Sequence, residues 1–117
     1  MKRHLNIVLL DNDTFDIVIP KLAAAFSIPL PYKNEDGRLI ARGTKGTYNV
    51  TVVDKKDELG EALSDEYHIL SISAEEPVDF DGIEHDVKRQ LEEGNMPWKE
   101  GIWSQARIDE THRRVYP

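Results

Sequence analysis

Two aspartates, Asp11 and Asp13, stand directly after the apolar run Ile7-Val8-Leu9-Leu10, with Asn12 and Thr14 beside them. A carboxylate pair at the end of a strand can attack phosphorus with one oxygen, hold magnesium, or pass a proton. The same residue types also make helix N-caps, since their short side chains accept from the first free amides and acids favour the positive helix end. A second concentration, Asp79, Asp81, Glu84, His85 and Asp86, places five ligand-capable side chains close together, and Asp81 with His85 is an i, i+4 pair that can share one helical face. One helical turn supplies fewer convergent oxygens than a hard metal needs, and the calcium-loop pattern with its central glycine is absent. The bland reading of this second group is a solvated, acidic helix start.

The remaining chemistry is thin. His4, His68, His85 and His112 are dispersed, no serine sits in a G-x-S-x-G elbow, and Gly43-Thr44-Lys45-Gly46 lies between strands instead of leading into a helix as phosphate cradles do. With no cysteine in the chain, disulfides, thiolate metal sites and cysteine nucleophiles are excluded. We therefore expect no catalytic residue, no cofactor and no bound metal.

Leu10-Asp11-Asn12-Asp13-Thr14 nevertheless resembles the aspartate pair of haloacid-dehalogenase-type phosphatases. It is also similar to the acidic pair of response-regulator receiver domains, with Val53-Asp54 in the place of the phosphoacceptor strand and Ser71 or Ser73 in that of the later hydroxyl. Either resemblance implies a small enzyme or a magnesium-dependent phosphotransfer or regulatory module using Asp11 and Asp13. The chain departs from both patterns elsewhere. Its 117 residues leave little room for the phosphatase's extra lysine-bearing segment and later acidic pair. A tight hairpin stands where a receiver has a helix, and the interval from Asp54 to the serines lacks a helix and a strand.

Several elements must position these residues. Residues 5–10 read as a first strand, apolar enough to be central and buried on both faces. Ile17, Val18, Leu22, Ala25 and Phe26 recur at helical spacing, with the helix starting near Asp16 so that Pro20 stays early, and ending before Pro29 and Pro31. Residues 34–37 form a turn, and residues 38–42 and 47–54 pair as a hairpin around residues 43–46. A short acidic helix is expected over 57–64 and a fourth strand over 67–73. Asp79 or Asp81 caps the best helix, whose Phe80, Ile83, Val87 and Leu91 line one face and which Gly94 stops. Beyond Gly94 the pattern is lost around Met96, Pro97, Trp98 and Trp103, and residues 105–115 read as a last short helix. The expectation is a single α+β domain over 1–117: a four-stranded, mostly antiparallel sheet with two to three helices packed on it, ferredoxin-like with a C-terminal extension.

Charge is the strongest signal. Residues 54–93 hold 14 Asp/Glu against 4 Lys/Arg, although the whole chain is only −7. Such a field steers basic partners, and a pI near 5 argues against direct binding of nucleic acid, which needs a basic stripe. A hydrophobic fraction of 39% with recurrent apolar runs keeps the chain out of the disordered regime. The short N-terminal apolar run is neither a membrane span nor a signal peptide, so a cytoplasmic location with no membrane partner is expected.

Small size, absent cysteine, absent catalytic constellation and a concentrated acidic stretch together resemble bacterial immunity proteins, the cytoplasmic inhibitors that neutralise toxin domains in interbacterial competition, including contact-dependent growth inhibition. The resemblance is of overall profile and rests on no motif. It implies a basic protein partner, a toxin nuclease domain, bound through Asp57, Glu58, Glu61, Asp65, Glu66, Glu75, Glu76, Asp79 and Asp81. Tyr67, Phe80 or a tryptophan would be the desolvated anchor.

Overall fold

A computed structural model describes residues 2–55, 67–75, 77–104 and 113–117. In chain order they form β1 (Lys2–Leu9), α1 (Phe15–Phe26), β2 (Tyr32–Glu35), β3 (Arg38–Lys45), β4 (Tyr48–Val53), β5 (Ile69–Glu75), α2 (Phe80–Glu93), β6 (Trp98–Trp103) and β7 (Arg113–Val115). The strands make one sheet of seven in the order β2-β3-β4-β5-β1-β6-β7. Every neighbouring pair is antiparallel.

Alternation along the strands sets the two faces. Leu5, Ile7 and Leu9 of β1, Val50 and Val52 of β4, and Leu70 and Ile72 of β5 are buried on one face. Phe15, Val18, Ile19, Leu22 and Phe26 of α1 and Ile83, Val87 and Leu91 of α2 join them in a single cluster. Both helices therefore cover the same side. The intervening residues, among them Asn6, Val8, Thr51, Val53, Ile69 and Ser71, stay exposed or half-buried on the other face.

The four-stranded, ferredoxin-like expectation is overturned by this sheet. Tyr32–Glu35 looks like loop because Pro29 and Pro31 precede it and its side chains are mostly exposed, yet it pairs in register with β3. Trp98–Trp103 escapes period-two reading because its register slips opposite Val8 and Leu9 and Gly101 takes an inward position. Arg113–Val115, expected at the end of a helix, is an edge strand; residues 105–112 of that expected helix, and the acidic helix expected over 57–64, lie outside the described residues. β1 is central, as expected, but buried on one face only. Two hairpins are tighter than expected. Asp36 and Gly37 adopt φ of 55° and 89°, the mirror-image turn that suits right-twisted strands, and the Asn34 side chain accepts from Gly37 N at 2.8 Å. Gly46 at φ 57° opens the other hairpin, so β3 runs on to Lys45.

The helix ends also follow local chemistry. Asp79 is the N-cap of α2 and accepts from Gly82 N at 3.0 Å. Thr14 is the N-cap residue of α1 but makes no side-chain cap bond, so neither Asp11 nor Asp13 caps that helix. Pro20 sits in the second turn of α1, deeper than its missing N–H favours. At the end of α2, Asn95 takes the left-handed φ of 53°, not Gly94. Gly94 serves packing instead: a Cβ there would lie 2.5 Å from Ala25 Cβ, where α1 and α2 cross closely. We expect Gly94→Ala to cost about 1–3 kcal/mol through overpacking and Asn95→Gly to be tolerated, both measured by urea unfolding.

Candidate functional site

The expected partner-binding residues fall at two separate places. Asp57, Glu58, Glu61, Asp65, Glu66 and Glu76 lie outside the described residues. Of the others, Glu75, Asp79, Phe80 and Asp81 gather where β5 ends and α2 begins, whereas Tyr67 precedes the start of β5. The intervening strand separates these two groups by roughly 25 Å at about 3.3 Å per residue. Among the described residues they stand at opposite ends of β5.

The acidic end is built by the turn from β5 into α2. Glu75 is exposed on the last position of β5, and Asp79 is exposed as the helix cap. The Asp81 side chain is 85% exposed. Arg113, reaching from β7, sits between Asp81 and Glu84, and Glu84 also accepts from the Trp103 indole N–H at 2.7 Å. The Phe80 ring packs edge-on against Trp103 at 5.7 Å, and the Arg3 guanidinium lies 5.2 Å from the Phe80 ring centre. Trp98 and Trp103 are both buried in the main cluster. Trp98 nevertheless lines a surface cavity of about 720 Å³ with Lys88, Leu91, Met96 and Pro97.

Beside this rim, a groove of about 500 Å³ opens between the β3–β4 turn (Lys45, Thr47, Tyr48) and the start of α2 (Asp79, Gly82, Asp86). Its wall is a hydrogen-bond network. The Tyr48 hydroxyl donates to Asp86 Oδ2 at 2.8 Å, Gln90 Nε2 donates to the same carboxylate and to the Tyr48 oxygen, and Arg89 donates to Asp86 Oδ1 at 2.6 Å. Burial alone would raise the Asp86 carboxyl, but the Tyr48 and Arg89 hydrogen bonds and the Arg89 and Lys45 charges outweigh it and hold the group below the ordinary aspartate range. Burial, then the bond to Asp86, pushes the Tyr48 hydroxyl well above its usual range, so both groups stay fixed as donor and acceptor at neutral pH. Sequence reading missed this network, although Gln90 is one step from Leu91 on the buried helical stripe.

A depressed carboxyl stabilises the fold above its ordinary pKa, and that stabilisation is lost as pH falls through the lower, folded value. Asp86→Asn should therefore lower stability most at neutral pH. The gap from wild type should close as pH drops below the ordinary aspartate value of 3.8, read by urea midpoints across a pH series.

The opposite end of β5 gathers the aspartate pair. Asp11 Oδ1 accepts from Asp13 N at 3.0 Å, and the Lys21 ammonium bridges Asp11 Oδ2 and Asp13 Oδ2, each at 2.9 Å. Burial pulls the Asp11 carboxyl upward, yet the Asp13 amide and Lys21 together hold it below its usual range. A metal at this pair would have to displace an ammonium that already bridges both carboxylates. Among the described residues no group of three or more histidine or acidic side chains is placed to hold a metal ion.

His68, fully buried, ties three segments together here. Its Nε2 lies 2.7 Å from the Asp13 carbonyl and its Nδ1 accepts from Lys55 N at 3.1 Å, with Asp54 Oδ1 3.4 Å away. A carbonyl only accepts, so Nε2 carries the proton. The ring also packs against Phe15 at 5.8 Å. Nothing in the spacing of the four histidines marks this one as structural. His68→Ala leaves a cavity and two unpaired backbone groups, and should cost about 2–5 kcal/mol in unfolding experiments.

No protein-family model, no curated protein and no solved structure matches this chain. Among the described residues no helix is long and apolar enough to cross a membrane.

Proposed function

We propose that this protein is a binding inhibitor, an immunity protein that engages a basic toxin domain, of the nuclease kind, through its acidic end. One observation carries the reading: Glu75, Asp79 and Asp81 crowd one exposed rim beside a groove that can admit a lysine or arginine side chain. A nuclease presents a basic substrate groove, so an acidic rim imitates phosphate charge and speeds encounter by long-range attraction. The anchor at this rim is Phe80, half-buried against Trp103 and Arg3. Tyr67 lies at the other end of β5, with Lys99 5.6 Å from its ring centre. Arg113, paired with Asp81 and Glu84, and Arg89, paired with Asp86, offset part of the charge and lower self-repulsion, while Glu75, Asp79 and Asp81 stay exposed to a partner.

The test begins with capture of the basic partner from native lysate at graded salt, followed by association kinetics with that purified partner. Glu75→Gln, Glu76→Gln, Asp79→Asn and Asp81→Asn combined should slow association about tenfold or more at low salt and flatten its salt dependence. The asparagine at position 79 keeps the helix cap, so folding should be preserved. Association that is unchanged in this variant, or a partner lacking a basic surface, would sink the proposal.

A further inference from the structure

The sheet face turned away from the helices carries an ordered charge and hydrophobic pattern. Following the register across six strands, one row reads Lys33, Ile40, Val53, Ile69, Val8, Glu100. It has a cation at one end, four aliphatic side chains in the middle and an anion at the other end. The next row reads Thr51, Ser71, Asn6 and Ile102 from β4 to β6, with Arg42 on β3 and the Pro31 position beyond it. A third row holds Thr44, Asn49, Ser73 and His4. Val8, Ile40, Val53, Ile69 and Ile102 are half-buried and stand apart from the helix-covered cluster.

We propose that this face binds a second copy of the same chain, related by a two-fold axis that runs along the strands between β4 and β5. Such an axis stacks one sheet on the other and reverses the order of strands while keeping each row opposite itself. Val53 then meets Ile69 of the second copy, Ile40 meets Val8, and Lys33 meets Glu100. In the second row Thr51 meets Ser71, Arg42 meets Asn6, and Ile102 falls on Pro31. A shallow groove of about 340 Å³ lined by Pro31, Tyr32, Lys33, Ile40 and Arg42 lies at that edge to receive it. In the third row Asn49 meets Ser73 and Thr44 meets His4. Apolar groups thus face apolar groups, hydroxyls and amides face one another, and the two charged ends complement each other twice over. Self-complementarity of this kind is what an isologous contact requires, and aligned stacking of twisted sheets is a standard packing. Arg114, on β7, projects past the second copy's edge and holds Glu100 Oε1 at 2.9 Å, which orients that carboxylate.

Six strands span roughly 24 Å at about 4.8 Å spacing, so the contact falls at the small end of specific interfaces and the dimer should exchange with monomer. The same span makes the test clean. Lys33 and Glu100 of one chain are more than two Debye lengths apart at physiological salt, where that length is about 8 Å, so they cannot couple within a monomer. Sedimentation velocity over a micromolar concentration series should show reversible dimerisation of the wild-type chain. Lys33→Glu and Glu100→Lys should each raise the dissociation constant about tenfold or more, and the double variant should return it to within about threefold of wild type. Val53→Asp, at the centre, should leave only monomer; circular dichroism checks its fold, and the Lys33 and Glu100 variants decide the matter if it does not fold. A wild-type chain that is monomeric at every concentration would overturn the proposal, as would a double variant as weak as the singles. A foreign protein held by this face and released by Val53→Asp would also overturn it. None of these residues belongs to the acidic end, so this outcome is separate from that of the inhibitor reading.

Discussion

The sheet depends on β1 being bonded along both of its edges. Its backbone pairs with β5 on one side and β6 on the other, joining the β2–β5 meander to the β6–β7 hairpin. Because side chains alternate, this one strand also sets which face the helices can cover: Leu5, Ile7 and Leu9 go to the core, and Asn6 and Val8 to the open face. A shift of one residue would exchange the two sets and expose the core row. The burial of three aliphatic side chains, each contributing about 1.5–3 kcal/mol, is what holds the register.

The two ends of β5 solve the problem of excess acid differently. At the aspartate-pair end one ammonium bridges two carboxylates, and a buried imidazole closes the backbone around them. At the other end Arg113 pairs with Asp81 and Glu84 and Arg89 with Asp86, while Glu75, Asp79 and Asp81 stay exposed. Exposed pairs contribute little stability each. The first end is thus tied into the backbone by Lys21 and His68, and the second keeps its carboxylates at the surface.

Much of the framework was readable from residue order. The alternation of Tyr48, Val50 and Val52, the stripe of Ile83, Val87 and Leu91, and the Asp79 cap announced β4 and α2 directly. What was not readable has physical causes. Tyr32–Glu35 is a strand because β3 offers it a hydrogen-bonding edge, and its own mostly exposed side chains give no periodic signal. Trp98–Trp103 hides behind a register slip. Val8 looks like core by composition, and only the position of the helices makes it part of an open face. The aspartate pair looked catalytic or capping because the lysine that bridges it comes from the second turn of α1, eight residues past Asp13. The acidic stretch was visible as composition, but that Glu75, Asp79 and Asp81 gather where β5 turns into α2 required the fold.

The central place of β1 also dictates how the chain must assemble. β2, β3 and β4 are joined by two-residue turns and need only local closure. β1 meets β5 at Leu5↔Ile72 and β6 at Leu5↔Trp103, 67 and 98 positions away. Contacts that distant are slow to form, because loop-closure entropy is lost before they return any stability. During synthesis β1 precedes both partners, so one edge waits for β5 and the other for β6. Until each partner arrives, the corresponding edge of β1 offers unpaired backbone groups to other chains.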